Sequence, residues 1–163
     1  MYKQLTKEDL AYIAGFLDGD GCILTQIVKG VTYKYKFTIR ISIVFYQKKS
    51  NHWFLIWLKS KLEYGNIRIR NDGMAELVIL GAKPVKSLLN SILPFLKLKH
   101  KLAILVLQIY DKLNTVKTEV DFIEVCKLVD KTIEYTYSKK RLITSVVVEE
   151  TLKLPVETEK LLN

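Results

Sequence analysis

The order of segments predicts an α+β fold: helix, two strands, helix, two strands, then helices, with the helices on one face of a curved four-stranded antiparallel sheet. Three observations carry it. A capped amphipathic segment ends in Gly-Asp-Gly at 19–21, residues 33–46 alternate apolar and mostly polar residues, and a second alternating pair flanks Asn71-Asp72-Gly73. With 163 residues, 49% of them hydrophobic, the chain can bury one good core. A single domain is expected, its core over about 1–137 and a basic segment with a C-terminal helix over about 138–163.

Thr6 with Asp9 three residues on is a capping-box-like start, and Leu10, Ile13, Ala14 and Leu17 repeat at helical spacing. The pattern predicts a helix over about 7–18, stopped by Gly19 and Gly21. Gly15 and Gly19 lie four apart on one helical face and let another helix approach backbone to backbone, with Ile13 and Phe16 beside them. The expected partner is a second copy of this helix. Packed in parallel about a two-fold axis, two such helices bring together their C-terminal carbonyls, Asp18 and Asp20. That negative charge suits Mg²⁺, which takes one or two carboxylates, carbonyls and waters and leaves room for phosphate oxygens. A helix capped by a Gly-Asp-Gly turn, with its aspartate in solvent, is the plainer alternative.

The chain then enters a strand over 22–28, and a hairpin closing around Lys29-Gly30 pairs it with the long alternating run. There Tyr33, Tyr35, Phe37, Ile39, Ile41, Ile43 and Phe45 occupy one face and Lys34, Lys36, Thr38, Arg40, Ser42, Val44 and Tyr46 the other. A strand over 33–46 would reach about 45 Å, longer than a DNA turn of about 34 Å. It reads either as a groove reader or as a half-solvated strand with a wet basic side. Asn66, Arg68 and Arg70 alternate with Ile67 and Ile69 before the Asn-Asp-Gly turn, so both arginines leave on the same side. Arg40, Arg68 and Arg70 can each grip guanine O6 and N7, and Gln26 can read adenine. Lys34 and Lys36 suit phosphates. Glu76 either accepts from a cytosine amine or orients an arginine, and Val28, Thr32, Thr38, Ser42, Val44 and Tyr46 fill the remaining base-facing positions.

Ser50 predicts the cap of a helix over 51–62, with Trp53, Phe54, Trp57 and Leu58 as its buried stripe and Gly65 beyond its end. Pro84 suits the first turn of a helix ending before Pro94, and 102–113 forms another. Thr118 with Asp121 starts a helix to about 137, and a weaker one covers 144–154.

A net charge of +9 and a pI near 9.4 call for a polyanionic partner, nucleic acid or an anionic membrane. The most apolar stretch, 102–110, is about half a membrane span and is broken by Gln108, which leaves nucleic acid. Cys22 and Cys126 lack metal-ligand spacing, and no signal segment opens the chain. The 22 lysines against four arginines fit an AT-rich genome, so an organelle or another intracellular compartment is expected rather than secretion. No Ser-His-Asp or Cys-His set suggests a covalent route, and His52 and His100 suit surface or core roles.

The segment Ala-Tyr-Ile-Ala-Gly-Phe-Leu-Asp-Gly-Asp-Gly at 11–21 resembles the LAGLIDADG motif. With the basic strand, Gln47 at its end, Pro-Phe-Leu-Lys-Leu-Lys at 94–99 and the basic stretch near 139, the whole chain is similar to the LAGLIDADG homing endonucleases of group I introns. The resemblance implies an αββαββα core and a site-specific endonuclease acting on double-stranded DNA. Since only one motif is present, it implies a homodimer that hydrolyses both strands of a long pseudo-palindromic target with Mg²⁺, or Mn²⁺ in its place, and leaves short 3′ overhangs. It further implies Asp20 as metal-binding carboxylate with the Gly19 carbonyl beside it, Gln47 and Lys99 as residues that order water and stabilise charge, and Lys139, Lys140 and Arg141 as contacts to central phosphates. Asp18 is left between metal ligand and helix cap. Asn51 stands where close relatives often carry a basic residue. An RNA-binding intron maturase and a DNA-binding protein without cleavage are the alternatives.

Overall fold

The computed structural model describes residues 4–153. Its elements run α1 (Lys7–Asp20), β1 (Gly21–Lys29), β2 (Phe37–Lys48), α2 (His52–Leu62), β3 (Asn66–Ile69), β4 (Met74–Leu80), α3 (Ala82–Ile92), α4 (His100–Leu113), α5 (Glu119–Lys131) and α6 (Ser145–Lys153). The strands form one antiparallel sheet in the order β1-β2-β4-β3, and the first seven elements follow the expected αββαββα order. The end of the weak helix expected over 144–154, and the tail of the segment expected over 138–163, lie outside the described residues.

Period-two burial fixes which side of the sheet is covered. Ile23 and Ile27 from β1, Ile39, Ile41, Ile43 and Phe45 from β2, and Ala75, Leu77 and Ile79 from β4 are buried beneath the helices. Into the same core α1 inserts Ile13, Ala14 and Leu17, α3 inserts Val85, Leu88, Leu89 and Ile92, and α5 inserts Phe122, Val125, Cys126 and Val129. Burial pushes the Cys126 thiol up to about 12, with Asp130 adding to the shift, so it stays a neutral core side chain.

Both capping boxes form. Thr6 Oγ1 accepts from the Asp9 amide at 3.1 Å while the Thr6 amide donates to Asp9 at 3.2 Å, and Thr118 and Asp121 repeat the arrangement at 3.1 and 3.0 Å.

Five expectations about elements need correction, the first being the helix expected to about 137: α5 ends at Lys131 and a 3-10 turn covers Thr132–Tyr135. α1 continues through Gly19 to Asp20, and the break comes at Gly21, whose extended backbone already belongs to β1. A Cβ at Gly21 would lie 2.6 Å from Leu17 Cδ1, so the chain turns there against its own helix. The long strand begins at Phe37, not at Tyr33. Residues 30–36 form a loop closed by Gly30 N to Lys36 O at 2.9 Å, with Lys36 in the left-handed region at φ 62°. Tyr35 satisfies its apolar period by stacking on Phe122 of α5 at 5.2 Å rather than by extending the strand. The segment after the long strand starts with a 3-10 turn at Lys49–Asn51, and no side chain caps α2. Because α2 is apolar nearly all round, its inward stripe differs from the expected one: Leu55, Leu58 and Leu62 are buried, whereas Trp53 is 64% exposed.

Candidate functional site

Two surfaces carry unsatisfied chemistry: the C-terminal end of α1 and the side of the sheet away from the helices. At the end of α1, Asp18 is an anchor. Its carboxylate accepts from the backbone amides of Lys97, Leu98 and Lys99 at 2.7, 3.2 and 2.9 Å. The Lys99 ammonium in turn donates to the Asp18 carbonyl at 2.8 Å. The 94–99 segment is thereby tied to the motif helix, and the open question over Asp18 closes in favour of a structural role. Asp20, two residues on, is exposed and makes no side-chain hydrogen bond or ion pair among the described residues. No basic residue occupies the last turn of α1, so within the helix nothing offsets the negative end of its dipole beside Asp20.

Sheet register brings Gln47 to the same end. Gly21 pairs with Phe45, and Gln47 lies two residues further along β2, about 7 Å past the start of β1. Its Oε1 accepts from Lys48 N at 3.0 Å and from Asn51 Nδ2 at 3.5 Å, so Asn51 orients the amide that it faces. Among the described residues no group of three or more His, Cys, Asp or Glu side chains converges on one point. One chain offers the Asp20 carboxylate and main-chain carbonyls such as that of Gly19. This is a hard oxygen set that fits Mg²⁺ or its relatives and needs further oxygens from outside the chain. His52 and His100 open α2 and α4 and are not part of this end's hydrogen bonding.

The exposed stripe of α1 adjoins this end. Gly15 and Gly19 are both on the surface, and a Cβ at either would meet nothing within 4 Å. Ala11, four residues earlier and also exposed, extends the stripe, and the same four-residue spacing that relates the two glycines is the sequence signal for it. Ile13 does not belong to it: it is fully buried in the core. Phe16 is half-buried, stacked on Phe45 at 5.8 Å and edge-on to Phe54 at 4.7 Å. Beside the stripe, Tyr12 meets Phe54 and Trp57 edge-on at 6.1 and 6.0 Å, and Trp53 stands outside them.

On the open side of the sheet, register arranges the side chains in ranks. Gln26 faces Arg40 and Val28 faces Thr38; Leu24, Ser42 and Leu80 form the next rank, then Cys22, Val44, Val78 and Asn66, then Tyr46, Glu76 and Arg68. Gln26 and Arg40 are exposed. Ser42 and Val44 lie on the right side but are buried beneath their longer neighbours, which removes them as contact residues in this conformation. Glu76 is buried and holds Arg68 at 2.6 Å and Arg70 at 3.7 Å, while Arg70 also meets Asp72 at 2.7 Å. Of its two readings, orienting arginines is the one the structure supports. Burial, with Cys22 and Glu76 beside it, holds the Tyr46 phenol above its ordinary range, so it stays a neutral donor. Thr32 and Lys34 are exposed on the 30–36 loop rather than on the strand, and Lys36 is half-buried there. The loop tip also presents Val31 and Tyr33, which an unbroken strand from Tyr33 would have placed elsewhere.

The basic stretch divides. Lys140 is exposed, Lys139 donates to the Ile133 carbonyl at 2.6 Å, and Arg141 is an internal strut. The guanidinium of Arg141 reaches the Thr25 carbonyl of edge strand β1 at 3.2 Å and Thr132 Oγ1 at 3.0 Å. These two bonds tie Arg141 to the fold and leave three of its five N–H donors for the expected phosphate contact. Among the described residues no helix is long and apolar enough to cross a membrane.

The model of the LAGLIDADG endonuclease family matches residues 13–102. The DNA endonuclease I-CvuI of Chlorella vulgaris is 40% identical over 88% of this chain and 89% of its own length, and I-CreI of Chlamydomonas reinhardtii is 37% identical over 98% of each. The crystal structure of I-CvuI in complex with its target in the presence of Ca superposes with a TM-score of 0.85 at 39% identity, covering 90% of this chain and 93% of that one. With the motif helix, the sheet and the acid end all in their expected places, the chain belongs to the LAGLIDADG endonuclease family.

Proposed function

We propose that this chain is a site-specific homing endonuclease that cuts both strands of a long duplex target as a homodimer, with a divalent cation held at the paired ends of α1. The observation that carries the reading is the unpartnered Asp20 at the end of a helix whose exposed stripe, Ala11, Gly15 and Gly19, is clear of its own fold. Two such stripes in contact place two Asp20 carboxylates close together, which supplies the ligands one chain lacks. The exposed Trp53 and Tyr12 flank the stripe and add apolar surface to the same contact. I-CvuI and I-CreI are DNA endonucleases, and the first was crystallised on its target with Ca, which supports both substrate and cation class.

In this reading the sheet's open side lies in the major groove. Arg40 and Gln26 read purines, Arg68 and Arg70 read guanines in the geometry Glu76 imposes, and Lys34 and Lys140 meet phosphates. Asp20 and the Gly19 carbonyl hold the cation, Mg²⁺ with Mn²⁺ able to replace it. Bound by these groups, a divalent cation would supply charge stabilisation for phosphodiester hydrolysis. Gln47, its amide fixed by Asn51, orients the attacking water, and Lys99 steadies developing negative charge from its place on the α1 terminus. The proposed cuts flank the centre of the two-fold site and leave short 3′ overhangs. An organelle that encodes the host intron is the proposed location.

The test is selection of bound and cleaved sequences from a randomised duplex library with Mg²⁺ and with Ca²⁺, beside a gel shift on structured intron RNA. Double-strand cleavage of one selected pseudo-palindrome is the expected result. Tight RNA binding with no duplex cleavage would establish the maturase reading instead.

A further inference from the structure

The polar ranks of the sheet are separated by an apolar block that base recognition by hydrogen bonding does not use. Leu24 and Leu80 stand one strand to either side of the buried Ser42, and the rank beside them is Cys22, Val44 and Val78, with the exposed Asn66 at its β3 edge. Leu80 is 55% exposed at the end of β4, although β4's other outward side chains, Met74, Glu76 and Val78, are buried or half-buried. Among the described residues nothing covers it on that side. Polar, basic ranks lie beyond the block in both directions, Gln26 with Arg40 at one end and Arg68 with Glu76 at the other. Their positive charge complements a polyanion and brings the apolar block against whatever that polyanion presents between two phosphate backbones.

We infer that Leu24 and Leu80 read the 5-methyl groups of thymine in the major groove. This rests on the DNA-cutting function proposed above and specifies part of its substrate. In that groove the thymine methyl is the apolar feature of the A·T pair, and aliphatic side chains recognise it by contact. A carboxamide or guanidinium at these positions would read an acceptor or donor, whereas a leucine on a solvent-exposed sheet face has no polar contact to make. Spacing sets the register. Successive outward residues on β2 are about 7 Å apart, about two base pairs at 3.4 Å each, so the Leu24–Leu80 rank falls about two base pairs inward of the one Arg40 reads. Each half-site should therefore carry a purine contact, then an A·T pair or pairs, then the guanines of Arg68 and Arg70.

The experiment starts from the duplex selected with the full chain and Mg²⁺. Each thymine in the block is replaced singly by deoxyuridine, which removes the methyl group and leaves every hydrogen-bonding group in place. Binding is measured in Ca²⁺ for the wild type, Leu24→Ser and Leu80→Ser. The expected result is about a fourfold loss of affinity per methyl removed for the wild type, from the ordinary worth of one buried methylene-sized group. Leu80→Ser should bind thymine and uracil duplexes equally at its own position and keep the wild-type penalty at the position read by Leu24, with Leu24→Ser behaving conversely. A block without A·T preference, or a uracil duplex bound as tightly as the thymine duplex, overturns the inference and leaves the nuclease reading standing. If no duplex site is selected at all, the nuclease reading fails and the inference goes with it.

Discussion

The β3–β4 hairpin and the last turn of α1 both concentrate charge, and they treat it in opposite ways. In the hairpin, buried Glu76 gathers Arg68 and Arg70, and Asp72 takes Arg70 from the other side, so each cation has an anion within 3.7 Å. In the last turn of α1, Asp18 is spent on three backbone amides while Asp20 has no side-chain partner among the described residues. The hairpin is a finished piece of protein whose arginines are held in a fixed direction before any ligand arrives. The helix end is open: Asp20 has no side-chain partner among the described residues, and in the proposed reading a cation and a second helix meet it there. Pre-orientation serves discrimination, since a fixed fork loses little freedom on binding. An open carboxylate serves chemistry, since it leaves ligand positions for an ion and a phosphate.

The largest expected effect breaks the helix end alone. Asp20→Asn keeps shape and hydrogen-bonding capacity but removes the charge that holds the cation, so cleavage should fall by orders of magnitude while specific binding persists. Single-turnover cleavage beside a binding titration checks it, and near wild-type cutting would remove Asp20 from the site. Asp18→Asn makes the sharper contrast: it should loosen the 97–99 segment and lower thermal stability as well as activity.

Substitution at the notches comes next. Because a Cβ at Gly15 or Gly19 meets nothing in the single chain, Gly15→Ala should strengthen the isolated helix by up to about 1 kcal/mol while weakening assembly. Gly15→Val should cost assembly about 1–3 kcal/mol or more, seen as monomer in sedimentation. Variants that stay dimeric and active would place the interface elsewhere.

In the hairpin, Arg68→Ala should relax base preference at a few positions by about 1–3 kcal/mol, in both half-sites alike. Arg141→Ala separates reading from support. Its bonds to Thr25 and Thr132 predict a stability loss of about 1–3 kcal/mol in urea unfolding, with base preference intact. Lys140→Ala should leave stability unchanged and flatten the salt dependence of binding, the slope of log affinity against log salt falling by roughly one for each phosphate the lysine no longer neutralises.

The smallest effect concerns acid. Backbone amides at the helix starts, that of Thr6 for Asp9 and those of Lys117 and Thr118 for Asp121, hold both carboxyls below the ordinary carboxylate range. A lowered folded value means their stabilisation is present above the unfolded value of about 3.9 and is lost as pH falls through the folded one. The stability gap between wild type and Asp121→Asn should therefore narrow as pH drops below about 4, measured by urea unfolding across that range. A gap that widens would reverse the assignment.

What the sequence disclosed follows the same division. Periodicity and capping located α1, the β3–β4 hairpin and α3 to α5 because those features are set by near neighbours: Thr6 with Asp9, Asn-Asp-Gly at 71–73, and Pro84 in the first turn of its helix. It failed where a distant partner decides. Tyr33 and Tyr35 continue the alternation of β2 perfectly, yet Tyr35 goes to Phe122 on α5 and the chain turns instead. Arg141 looks like any surface cation until the Thr25 carbonyl, more than a hundred residues away, is seen to receive it. The burial of Ser42 and Val44 likewise comes from side chains on neighbouring strands. The motif pattern singled out Asp20, Gln47 and Lys99, which the fold brings to one end of the molecule, whereas the anchoring role of Asp18 depends on the 94–99 segment folding back onto α1.

The central claim is that cleavage needs two copies of α1 on one target. The most direct test counts chains on a single selected duplex by analytical ultracentrifugation in Ca²⁺, then mixes wild type with excess Asp20→Asn before adding Mg²⁺. Two chains per duplex, and loss of double-strand cleavage as mixed pairs form, is the predicted result. One chain per duplex that still cuts both strands would contradict the account.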